Sequence, residues 1–133
     1  MAKAASRFHT VVKVKQHQEK VAQQQLIKIQ DDHVKEKTRL ERLHEAREEA
    51  VEEAPRFGRA RATDLQTQRA FIFKLTKQIH HQSSKVDEVK GQEVAKRKEL
   101  TERAQSRQMV EKLDEKQKAE TAKRIERNPE GDG

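Results

Sequence analysis

This sequence predicts an all-α fold, a long antiparallel two-helix coiled-coil hairpin, and three observations carry that reading. First, 40% of its 133 residues are charged, 32% are hydrophobic, and Trp, Tyr and Cys are absent. Four Phe residues are a thin supply for a compact globule, whereas interspersed charges of both signs among good helix formers suit helices with a narrow apolar seam. Second, apolar residues recur at alternating spacings of three and four on both sides of a single break, "EEAPRFGRARA", which is the periodicity of a coiled-coil face. Third, charge is laid down in blocks. Residues 1–30 are net +5, 31–54 net −4, 55–90 net +5 and 91–133 net +1. Folding the chain back on itself sets the acidic end of the first arm beside the basic start of the second, although each exposed pair contributes only a few tenths of a kcal/mol.

The first helix is expected over residues 6–54, with Ser6 as its N-cap. Its seam runs through Ala5, Phe8, Val12, Lys15, Glu19, Ala22, Leu26, Ile29, His33, Glu36, Leu40, Leu43, Arg47, Ala50, Ala54 and Phe57. Pro55 disfavours helical geometry at Ala54, and Gly58 can supply a left-handed cap, so the tip loop is placed at 55–62. Thr63 followed by Gln66 resembles a capping box opening the second helix, 63–127. Its seam takes Leu65, Gln68, Ile72, Leu75, Ile79, Gln82, Val86, Val89, Glu93, Lys96 and Leu100. Beyond Leu100 the register is expected to slip, with Val110 and Leu113 restarting it weakly. Gly91 marks a weak point inside this helix, and Asn128-Pro129 ends it, leaving a flexible tail at 128–133. The whole chain, 1–133, reads as a single helical hairpin that brings the neighbourhoods of Leu43 and Ile72 together.

The same residues exclude most chemistry. No glycine-rich phosphate cradle is present, since Gly58 and Gly91 are isolated. The serines lie at a cap or on helix, and the carboxylates fall on solvated faces, so no catalytic residues are assigned and the chain is not expected to be an enzyme. His80 and His81 are adjacent, about 100° apart on a helix, whereas helical metal ligands prefer spacings of three or four. No metal and no cofactor are expected, and His33 reads as a tolerated polar seam position. The net charge of +7 raises nucleic acid as a partner. The basic residues are nevertheless interleaved with 23 acids, and stacking aromatics are scarce, so no nucleic-acid function is assigned. No run approaches the length of a membrane-spanning helix. What remains to be explained is the apolar content near the break. Phe71 and Phe73 lie about 200° apart on a helix, so they cannot both face the seam, and at least one is expected to be exposed as a protein contact.

Several segments resemble the FliJ family, the coiled-coil proteins of the flagellar type III export apparatus. The opening "RFHTVVKVKQHQEKVAQQQL" looks like the family's start. "RAFIFKLTKQIHHQ" is similar to its tip-proximal segment, and "VAKRKELTERAQSRQMVEKLDEKQKAE" to its late stretch. The similarity spans about residues 6–120. The tail "AKRIERNPEGDG" departs from the family's usual Asp-Glu ending, and Ala46 and Ala50 stand where some relatives place aromatics. The resemblance implies a stalk-like coiled coil in the cytoplasm that links a hexameric export ATPase, FliI-like, to the cytoplasmic domain of the export gate protein, FlhA-like. It also implies contact with export chaperones and a peripheral association with the inner membrane through these partners. Carried over residue by residue, the gate-binding stripe becomes Leu43, Ala46, Ala50, Phe71, Leu75, Gln78 and Gln82. The ATPase contacts are expected among Arg7, Lys13, Lys15, Arg107, Lys112 and Lys116. The equivalent stalk of a virulence secretion system, a rotary-ATPase stalk subunit and, more distantly, a nucleic-acid-associated basic coiled coil are the alternative readings.

Overall fold

The computed structural model describes residues 7–53 and 62–127. Two helices account for nearly all of them: α1, His9–Glu53, of 45 residues, and α2, Ala62–Arg127, of 66 residues. No strand occurs among the described residues, and the two helices pack against each other as a hairpin. The N-cap expected at Ser6, the seam positions Ala5, Ala54 and Phe57, the breakers Pro55 and Gly58, and the tail after Arg127 lie outside the described residues. Thr63, expected as a cap, is instead already helical, and its carbonyl accepts a 2.9 Å hydrogen bond from the Thr67 hydroxyl. Asp64 in the first turn of α2 and Arg124 and Arg127 in its last complement the helix dipole at both ends.

The chain divides into two compact units. A terminal unit joins Met1–Leu26 to Ala95–Gly133, and a loop-proximal unit comprises Ile27–Val94. Within each, the two helical segments run antiparallel. In the terminal unit Gln16 pairs with Glu111 at 3.3 Å, Gln18 with Arg103 at 3.1 Å and Gln25 with Lys96 at 2.8 Å. In the loop-proximal unit His33 Nδ1 lies 2.7 Å from Glu93 Oε2. Further along, Gln82 Nε2 donates to the Glu36 carbonyl at 3.0 Å, Arg47 Nε donates to the Thr76 hydroxyl at 3.0 Å, and Gln68 Nε2 donates to the Ala50 carbonyl. These bonds fix a register that sets Leu43 beside Gln78 and Gln82 and Ala50 near Gln68. The pairing of Leu43 with the Ile72 neighbourhood, expected from spacing alone, is therefore displaced along α2. Period is legible in one arm; register depends on how many residues the turn between the arms consumes.

The seam itself is where the spacing puts it. Val12, Ala22, Ala50, Leu75 and Gln82 are buried, and Phe8, Leu26, Ile29, Leu40, Leu43, Ile72, Ile79, Val86 and Val89 are half-buried. Arg47 and Leu65 are the exceptions and lie exposed. Past Leu100 the expected slip does not occur. The same alternation continues through Arg103, Arg107, Val110, Asp114, Gln117 and Thr121, each of them buried or half-buried, while Leu113 stays exposed. The terminal unit thus closes over polar side chains. Arg107 bonds Glu19 across the seam and Glu111 on its own helix at 2.8 Å, so its half-buried charge is satisfied. A search for apolar periodicity cannot see a seam built this way.

Gly91 is exposed in the interior of α2, with a helical backbone and no neighbour that an added Cβ would meet within 4 Å. Gly91→Ala is therefore expected to stabilise the protein by about 0.5–1 kcal/mol through helix propensity alone. A thermal or denaturant melt of the two proteins checks this, and a lower midpoint for the variant would show that Gly91 serves an unseen packing role.

Candidate functional site

Two surfaces carry the residues singled out by sequence. In the loop-proximal unit, Leu43, Ala46 and Ala50 on α1 and Phe71, Leu75, Gln78 and Gln82 on α2 each follow one another at spacings of three or four, so each set forms one stripe along its helix. The stripe grades from core to surface. Ala50 and Leu75 are buried at 5% and 6% exposure and hold the arms together. Leu43 and Ala46 are half-buried, Gln78 is exposed, and Phe71 keeps half of its surface in solvent. Ala46, with no bulk beyond its Cβ, leaves this flank low.

Beside the stripe lies an open groove of about 570 Å³ lined by Arg39, Arg42, Leu43, Lys77, Gln78, His81 and Gln82. Three of the expected stripe residues line it: Leu43, Gln78 and Gln82. The other four liners, Arg39, Arg42, Lys77 and His81, escaped sequence reasoning. Their signal was present in the spacing, because Arg39 and Arg42 precede Leu43 and Ala46 by four residues and His81 follows Gln78 by three. Which flank of α1 meets which flank of α2 is a matter of register, however. Phe73, 62% exposed, lies on a different part of α2, and the Lys77 ammonium sits 4.7 Å from its ring centre, a cation–π contact. Both Phe71 and Phe73 are therefore solvent-accessible, where at least one was expected.

The groove's floor is fixed by a side-chain clamp. Gln82 is buried and donates through Nε2 to both the Glu36 carbonyl and its carboxylate, while Arg39 holds the other carboxylate oxygen at 2.9 Å. The Gln82 bond, and after it the charges of Arg39 and Lys85, hold the Glu36 carboxyl below its ordinary value of 4.5. A carboxyl depressed in the folded state stabilises the fold above its unfolded pKa, and that contribution is lost as pH falls through the folded pKa. Melting temperature is therefore expected to drop more steeply below about pH 4.5 in the wild type than in Gln82→Leu, where the largest cause of the depression is gone. Parallel pH profiles for the two proteins would contradict this.

In the terminal unit the six expected cationic contacts separate into two groups. Arg7, Lys13, Lys112 and Lys116 are exposed, with the Arg7 guanidinium 5.2 Å from the Phe8 ring centre. Lys15 and Arg107 instead belong to the half-buried seam. The Glu19 carboxylate, followed by Glu111, holds the Arg107 guanidinium still more firmly protonated than usual. The structure thus gives Arg107 a role within the hairpin. Among the described residues no group of three or more His, Cys, Asp or Glu side chains could hold a metal ion, and no helix is long and apolar enough to cross a membrane.

The family model described as the flagellar FliJ protein matches residues 4–130. No curated protein and no solved structure matches the chain.

Proposed function

As the chain belongs to the FliJ family, a flagellar export-related family, we propose that it is a non-enzymatic coupling component of the export apparatus, docking to an export ATPase ring and to the export gate. The observation that supports this most is the stripe of the loop-proximal unit, where Phe71 is half exposed and Leu43, Gln78 and Gln82 line an open groove. The stripe is assigned to the cytoplasmic domain of the gate, and export chaperones are further clients of the same surface. The terminal unit offers a different chemistry. Arg7, Lys13, Lys112 and Lys116 present exposed cations to a polar, partly acidic ring wall, a contact that tolerates turning because it has no apolar lock.

The test is the ATPase activity of the protein's own export ATPase with and without the chain. Wild type is expected to stimulate it. Combined reversal to Glu at Arg7, Lys13, Lys112 and Lys116 is expected to remove the stimulation while helix content and gate binding persist. Undiminished stimulation by that variant would reject the ATPase contact, and a salt-steep affinity for oligonucleotides without any ATPase or gate binding would favour a nucleic-acid role instead.

A further inference from the structure

The groove beside the stripe has an unusual balance of linings. Its floor is apolar, from Leu43 and the carbon stems of the surrounding side chains, with the Gln82 amide turned away into its clamp on Glu36. Its rim is basic: Arg39, Arg42, Lys77 and His81 line it, and no Asp or Glu does. The neighbouring carboxylate, Glu36, is already shared between Gln82 and Arg39. Arg42 and Lys77 make no ion pair among the described residues. They stand on different helices and bracket the groove from both sides.

From this charge arrangement we infer that the groove takes a protein segment of acidic, apolar-tipped character: one Leu- or Phe-sized side chain seated over Leu43 between Gln78 and Gln82, flanked by carboxylates that pair with Arg42 and Lys77. This rests on the reading of the flank as a docking face and adds the chemistry of what docks. A carboxylate set between a guanidinium and an ammonium gains charge-assisted hydrogen bonds. Partial desolvation by the apolar floor strengthens them beyond those of a fully exposed pair. A basic or neutral segment would leave Arg42 and Lys77, the latter resting on the Phe73 ring, without a counter-charge, and that cost supplies the specificity. A nucleic acid would satisfy the rim through phosphates but would not use the apolar floor.

The full-length chain, immobilised, selects from a phage-displayed library of random short peptides. The expected pool is enriched in Asp and Glu within a few residues of Leu, Phe or Met. A synthetic peptide from that pool should bind the Arg42→Glu, Lys77→Glu double variant about tenfold or more weakly, since two partly exposed pairs are reversed. Both residues are exposed, and circular dichroism should show the variant's helix content unchanged. Three results overturn the inference: a neutral or basic pool, acidic peptides that bind wild type and variant equally, or a DNA oligonucleotide that displaces the peptide through the same two residues. The gate domain gives an independent arm. If it binds through Phe71 but is indifferent to Arg42 and Lys77, the proposed function stands and this inference falls. If acidic peptides bind through Arg42 and Lys77 while the gate domain does not bind at all, the inference stands and the gate assignment falls.

Discussion

Leu75→Asp is expected to destabilise the loop-proximal unit by about 3–5 kcal/mol, enough to remove most of its helical signal near body temperature. Leu75 is 6% exposed and one of four buried hydrophobic residues among those described. None of the larger side chains among the described residues is fully enclosed, so the seam has little redundancy. Replacing Leu75 by a carboxylate removes about 2 kcal/mol of burial and sets a charge at a buried seam position. Circular dichroism against temperature reads the outcome. Leu75→Ala serves as the graded companion, with a loss near 2 kcal/mol at the low end of core truncations, because the seam is thin and its surroundings can close in. A Leu75→Asp protein that melts like wild type would mean that the arms are not held together at this layer.

Phe71→Ala should have the opposite profile. Half of this side chain is already covered, so burying the remainder against a partner is worth about 1–1.5 kcal/mol by area, or roughly five- to tenfold in affinity. The melting temperature is expected to fall by only a few degrees, since just the covered half of the ring contributes to the fold and the ring lies off the seam series. Titration of the export gate's cytoplasmic domain with wild type and variant decides the matter. A variant that binds as well as wild type removes Phe71 from the interface. One that unfolds makes it a core residue, despite its exposure. Phe73→Ala is the internal control, because its ring is engaged with Lys77 rather than aligned with the stripe.

The contrast between these two residues shows how much the sequence could disclose. Leu75 lies on the alternating three-and-four series and Phe71 does not, so their different burial was legible from spacing alone. Asp114, Arg103 and Arg107 were not legible. They occupy the same series as Leu100 and Val110, yet a seam read through hydrophobicity stops at Leu100 because ion pairs leave no apolar signal. The four basic groove residues were hidden for another reason. Arg42 and Lys77 are unremarkable exposed positions in each helix separately, and they bracket a common cavity only once the cross-arm bonds at Glu36, Arg47 and Ala50 have set the register. The assignment of ATPase contacts suffered from the converse problem. Arg107 looks like a surface cation in the sequence, and its half-buried position in the seam appears only when the partner helix is in place; Lys15 already stood on the seam series and was nevertheless counted among the surface contacts.

In the proposed function one chain joins two machines through different parts of its surface, the exposed cations of the terminal unit and the stripe of the loop-proximal unit. Analytical ultracentrifugation of the chain with its own export ATPase and the gate's cytoplasmic domain tests this most directly. A single sedimenting species containing all three proteins is expected. Phe71→Ala should remove the gate domain alone, and reversal of Arg7, Lys13, Lys112 and Lys116 should remove the ATPase alone. Mutually exclusive binding, in which added gate domain displaces the chain from the ATPase, would contradict it.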